Sequence, residues 1–189
     1  MKSDFPGSLK GRLLVAMPLL ADPNFHKTIT CICEHDISGA LGIVINRLDI
    51  TLTGQDIFTE LGIDFTKETE SIPIHMGGPV HMNELFVLHG PPFDWDGCHP
   101  ITATLAMSNT LDILTSIAGG KGPEHFIISL GCAGWGGGQL EYEMKENTWL
   151  TSRIYDDALF KWKVEERWEK VLRKNGIDPM GISHTAGHA

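Results

Sequence analysis

Three groups of residues in this 189-residue chain have types and spacings on which chemistry could be built. In the stretch GCAGWGGGQLEYEMKENTWL, Gly131, Gly134, Gly136, Gly137 and Gly138 cluster around Trp135. Between an apolar run and an amphipathic one, such a backbone can present N–H groups to an anion at a helix start. It can equally be a tight corner that needs positive φ. The Gly-Lys-Ser/Thr of a phosphate loop and the dinucleotide glycine spacing are both missing, which favours the corner over an anion or small-ligand site. The second group is Cys31-Ile32-Cys33-Glu34-His35. On a regular strand Cys31, Cys33 and His35 face one side in steps of about 6.6 Å. That is too far for a Cys31–Cys33 disulfide, or for shared zinc without a bulge. Cys33 with His35 as its base is the enzymatic reading, but no distant Asn or Asp can be assigned to complete it. Core packing of the thiols is the preferred one. The third group, Asn46-Arg47, puts an amide and a guanidinium at the end of an apolar strand. Binding groups and ordinary wet strand ends both occur there.

Other chemistries find less support. The nine histidines are scattered; His184 and His188 are spaced i, i+4 but follow Pro179 without helix signals. No metal and no cofactor is expected. Glu141 and Glu143, two apart on a helix, point away from each other, so they offer no carboxylate pair for hydrolysis. Gly-x-Ser-x-Gly is absent. No catalytic residue is assigned, and the balance leans away from an enzyme.

The elements that must position these groups follow from pattern. Leu13–Met17 is an apolar run ended by Pro18, a buried strand. Thr28–Glu34 and Leu41–Asn46 flank the polar turn Asp36–Gly39 and read as an antiparallel hairpin. A short helix is expected over 52–61 with Gly62 as its stop, and a strand over 85–88 after Gly77-Gly78-Pro79. Residues 101–118 carry a helical pattern, and Phe126–Leu130 is a strand leading into the glycine stretch. One long amphipathic helix is expected over 156–174, capped by Asp156 or Asp157 and stopped by Gly176. The tail from 179 onward is small and polar and reads as loose. Strands in adjacent pairs argue for an α+β fold, a single domain over 1–189 with helices packed on a mixed sheet.

Composition narrows the function classes. A chain of this length can bury roughly 70% of its unfolded surface. Net charge is −9, and the densest basic region, Lys161–Lys174, interleaves Glu165, Glu166 and Glu169. Nucleic-acid affinity rests largely on Lys and Arg displacing counterions, so direct contact with nucleic acid is not expected. No apolar run reaches the roughly 18 residues of a membrane helix. Asp4, Pro6 and Pro18 argue against a signal peptide. Four cysteines in a chain this long make no disulfide framework, so the default compartment is the cytoplasm.

The blocks GRLLVAMPLLADPNFHKTITCICEHDISGALGIVINR, GGPV, LFVLH and GCAGWGGGQLEYEMKENTWL, with the tail GISHTAGHA, resemble the successive blocks of the bacterial YqgE/AlgH family. The resemblance covers nearly the whole chain. It implies an α/β sandwich-like domain whose bent sheet forms a pseudo-barrel, and a cytosolic protein of undefined biochemistry. Members carry the label of transcriptional regulator on genetic grounds, without a DNA-binding motif. Leu48 stands where the family often has proline, and Gly137 where proline or alanine is common.

Together these readings predict a non-enzymatic protein, favoured as a monomer, acting through an unknown protein partner or small ligand. The expected contact is a shallow cleft framed by Glu34, His35, Asn46, Arg47, Gly77, Gly78, Gly134, Trp135, Gly136 and Gln139. Arg47 and Gln139 are its expected polar groups, with Trp135 as its apolar wall. The alternative is an enzyme or anion binder using Cys33 with His35, or the glycines at 134–138.

Overall fold

The computed structural model describes residues 7–179. Of the tail expected from 179 onward, residues 180–189, with the GISHTAGHA block, lie outside them. Among the described residues, ten strands and five α-helices make a curled, largely antiparallel half-barrel sheet with helices against it. From one edge to the other the strands run 149–153, 12–16, 29–36, 39–44, 126–136, 80–89, 106–108 and 99–100, with 73–76 between 48–53 and 126–136.

β1 (Arg12–Ala16) lies between β2 (Ile29–Asp36) and β10 (Trp149–Arg153). Leu13 and Val15 enter the main core while Leu14 and Ala16 enter a second one beneath α3 (Gln139–Lys145). A strand buried on both faces reads as an unbroken apolar run, which is why this one was legible. β2 and β3 (Gly39–Val44) form the predicted hairpin.

β9 (Phe126–Gly136) organises the rest. Its first half pairs with β6 (Val80–His89) and, in parallel, with β5 (Pro73–Met76); its second half pairs with β3. The partner changes at Gly131, whose φ of +71° bends the strand where a Cβ would press on the Gly78 carbonyl at 2.7 Å. Ile127 and Cys132 then face the main core, while Ile128 faces a third cluster with Phe58, Ile113 and Ile117.

Several boundaries differ from expectation. The 52–61 segment becomes β4 (Leu48–Thr53) followed by α1 (Gly54–Glu60), because Thr53 and Asp56 form a capping box. Gly62 still stops the helix at φ +66°. The expected 101–118 helix shrinks to α2 (Leu111–Ala118). The preceding β7 (His99–Pro100) and β8 (Ala106–Ser108) extend the sheet edge, with Ala106 paired to His89. The apolar spacing of Leu105 and Ala106 imitates a helix, but sheet pairing claims them. The long C-terminal helix is broken into α4 (Asp156–Phe160), a 3₁₀ turn (Val164–Glu166) and α5 (Arg167–Lys174). α4 closes at Lys161, extended backbone at Lys163 (ψ 137°) keeps the 3₁₀ turn from continuing it, and Tyr155, not an aspartate, occupies the N-cap of α4. β5 and β10 were not anticipated. No helix among the described residues is long and apolar enough to cross a membrane.

Candidate functional site

The glycine stretch is mostly strand. β9 continues through Gly134 and Gly136, and only Gly137 and Gly138 turn the chain into α3, with Gly138 at φ +77°. Gly39 pairs with Gly136 and Ala40 with Trp135, so the stretch lies against the tip of the β2–β3 hairpin. Gly134, Gly136 and Gln139 are exposed.

Trp135 is not the wall of a cleft: it is 5% exposed and belongs to the core beneath α3. Its indole N–H donates to Glu143 Oε2 at 2.9 Å, and the Trp149 indole donates to the same oxygen at 2.7 Å. Gln139 Nε2 donates to Glu143 Oε1 at 2.9 Å, while Gln139 Oε1 accepts from Gly136 N–H. Phe25 stacks on Trp135 and meets Trp149 edge-on, with centroids 6.0 and 5.4 Å away. One carboxylate thus satisfies two indoles that could not otherwise be buried without loss. Gln139 is a strap of this network rather than a free binding group.

The hairpin also separates Cys33 from His35. The β2–β3 register slips between Ile32 and Glu34, a bulge at Cys33. After it Glu34 pairs with Leu41 on the main-core side and stays exposed, while His35 pairs with Ala40 on the α3 side. Leu9 N–H donates to His35 Nδ1 at 2.9 Å, so that nitrogen is unprotonated, and Nε2–H donates to Glu141 Oε1 at 2.9 Å. Cys33 remains with Cys31 and Cys132 in the main core. Burial, then its hydrogen bond to Cys31, pushes its thiol well above the ordinary range. A thiol on the opposite face from its supposed base, and held protonated, is not the pair that the spacing suggested. Glu141 and Glu143 do point apart, one to His35 and one to the indoles.

Gly77 and Gly78 serve the close approach of three segments of the chain. Gly77 N–H donates to Leu130 O, and its carbonyl accepts from Val44 N–H. A Cβ at Gly77 would collide with the Ser129 hydroxyl and the Gly131 carbonyl, and one at Gly78 with the Cys132 backbone. They are fixed by close approach, not exposed to a ligand.

Asn46 and Arg47 lie at the other end of β3, whose six residues span about 20 Å. The expected single cleft therefore divides into two places. Asn46 Oδ1 accepts from Ile29 N–H at 2.7 Å and its Nδ2 donates to Lys27 O at 2.8 Å, a latch across the strand ends. Arg47 Nη2 donates to His26 O at 3.1 Å, and partial burial lowers its pKa against the opposing pull of Asp22. Sequence reasoning missed the residues beside them. Arg167, at the start of α5, is 5% exposed and donates from Nε to Trp162 O and from Nη1 to Ile45 O. Burial lowers its pKa to about 10. Lys27 Nζ sits 5.5 Å from the Trp168 ring, whose N–H donates to Ala16 O. His75 is buried with neither ring nitrogen in a well-formed hydrogen bond among the described residues; desolvation and then the Arg167 charge lower its pKa to about 3, against the opposing pull of the Ile128 backbone. Arg167 was hidden because it falls on the charged stretch of a helix; only the α4 break turns it inward.

Among the described residues no group of three His, Cys, Asp or Glu is placed to hold a metal. The AlgH-like family model matches residues 13–180. The chain belongs to the AlgH-like family. A UPF0301 protein of Desulforapulum autotrophicum is 50% identical over 183 residues, covering 97% of each chain. Another, from Xanthomonas axonopodis pv. citri, is 38% identical over 189 residues, covering 99% of this chain and 100% of its own. The solution structure of AlgH from Pseudomonas aeruginosa is 40% identical, superposes with a TM-score of 0.80 and covers 100% of both chains. DIP2367 from Corynebacterium diphtheriae, at 20% identity and TM-score 0.69 over 87% of this chain and 85% of its own, shares the fold. The resemblance and the bent-sheet α+β architecture expected from the sequence are both borne out.

Proposed function

We propose that this is a non-enzymatic, cytosolic interaction protein, acting in regulation as a monomer through the surface at the hairpin tip. One observation carries the reading: Ile37 and Tyr142, 81% and 64% exposed, flank the bare backbone of Gly136–Gly138. Gly137 abuts the Ile37 carbonyl, and Tyr142 N–H bonds to Gly138 O, so both belong to one patch. Val80 and Met82, 38% and 56% exposed, stand on its Gly131–Gly134 side. Its floor is the indole pair clamped on Glu143, which keeps the contact surface rigid. Half-exposed Glu141, next to Tyr142, puts an acid at the edge of the patch, suited to a protein partner with apolar and basic side chains rather than to nucleic acid.

Ile37→Asp and Tyr142→Asp test the reading. Capture from native lysate by wild-type protein should enrich one stoichiometric protein, lost with either variant while the urea midpoint is unchanged. Capture that survives both substitutions would refute this face, and a salt-sensitive nanomolar complex with duplex DNA would refute the class of partner.

A further inference from the structure

We propose that the strand-end cluster of Lys27, Arg47 and Arg167 binds a phosphate group. This site lies about the length of β3 from the hairpin-tip surface and does not depend on the reading given to it. All three cations are tied to one short piece of backbone. Arg167 holds the Ile45 carbonyl, Asn46 holds the Lys27 carbonyl, and Arg47 holds the carbonyl of His26 beside it. Trp168, next to Arg167, carries the Lys27 ammonium over its ring.

Three positive groups gathered without a salt bridge are unexpected in a chain of net charge −9. Lys161, Lys170 and Arg173 each pair with a carboxylate one helical turn away, whereas Lys27, Arg47 and Arg167 pair with none among the described residues. The acids that reach them electrostatically, Asp22 for Arg47 and Glu165 for Arg167, are exposed and only partly offset the desolvation of each guanidinium. Arg167 is the telling member. A guanidinium 5% exposed has five N–H donors, and its hydrogen bonds among the described residues use only Nε and Nη1, leaving Nη2 without a protein partner there but not sealed from solvent. Buried charge without a counter-ion is costly, so a bound anion is the missing partner. His75, buried in the interior, is kept neutral first by desolvation and then by the Arg167 charge. The remaining donors of Arg47 and Arg167 come as planar forks, the geometry that takes two oxygens of one phosphate. Lys27, held at φ +55°, adds a point charge from the exposed side.

Inorganic phosphate, titrated into the full chain at constant ionic strength against chloride, tests the site. The amide resonances of Ile45–Leu48 and the indole resonance of Trp168 should shift along one saturable curve. Arg47→Gln removes a charge-assisted contact and should raise the fitted Kd about tenfold or more. Lys27→Met keeps the stem on Trp168 and should raise it less; this variant carries the test if Arg47→Gln fails to fold. An absence of saturable shifts would overturn the proposal, as would an unchanged Kd in the folded variants. An equal response to acetate would overturn the assignment to phosphate.

Discussion

Replacing Trp135 measures whether the glycine stretch is architecture. The side chain is 5% exposed and packs on Phe25, Trp149 and Leu140. Truncating such a ring to alanine should cost about 3–5 kcal/mol. Trp135→Phe keeps most of the packing and removes only the N–H that Glu143 accepts. A hydrogen bond to a charged group contributes about 1.5–3 kcal/mol, and half-exposed Glu143 recovers part of that from water, so about 1 kcal/mol should be lost. Glu143→Gln weakens both indole bonds. If the indole and the carboxylate interact as the geometry has it, the two substitutions together should cost less than the sum of each alone, by at least about 0.5 kcal/mol. Urea unfolding followed by far-UV circular dichroism supplies all four corners of the cycle without relying on the altered tryptophan. A cost below about 1 kcal/mol for Trp135→Ala, or additivity in the cycle, would refute the buried indole clamp.

Gly78→Ala should abolish soluble folded protein, or cost well over 1 kcal/mol, since its φ of +148° and the Cys132 backbone leave no room for a Cβ; soluble yield and urea midpoint check this. His75→Leu should raise stability by about 1–3 kcal/mol at pH 7, because it removes a buried imidazole whose nitrogens make no well-formed hydrogen bond among the described residues. The native imidazole titrates at about 3 and the unfolded one near 6.5. The unfolded chain therefore binds the extra proton between those values, and His75 makes stability fall as pH falls from about 6.5 to 3. The leucine variant should flatten that acid slope in urea midpoints measured across the window. Native protein treated with iodoacetamide at pH 8 should be modified first at the half-buried Cys98, with Cys31, Cys33 and Cys132 reacting only in urea. Burial raises Cys132 to about 11, so peptide mass mapping that found it among the fast sites would contradict its place in the core.

The strands that were legible are those whose own residues decide burial. β1 and the β2–β3 hairpin carry apolar and β-branched runs bounded by Pro18 and a polar turn, and local pattern sufficed. Gly62 and Gly176 likewise announce helix ends through positive φ, which needs no distant partner. What distant partners decide was not legible. β5 is four residues long, and β8 three; each is a strand only because β9 or β6 lies beside it. The single residue inserted at Cys33 turns His35 to the other face, since strand side chains alternate with period two. The expected cleft failed for a related reason. Glu34 and Arg47 are near in sequence, but the intervening β3 is a rigid rod that holds them apart. Residues far apart in sequence meet instead: Arg167 reaches Ile45 across the fold, and Glu141 reaches His35. Composition and most strand cores follow from the chain itself, because they depend on nearest neighbours and solvent. Which polar groups share a site depends on where long-range pairing brings the strand ends and helix starts together, and that only the tertiary structure decides.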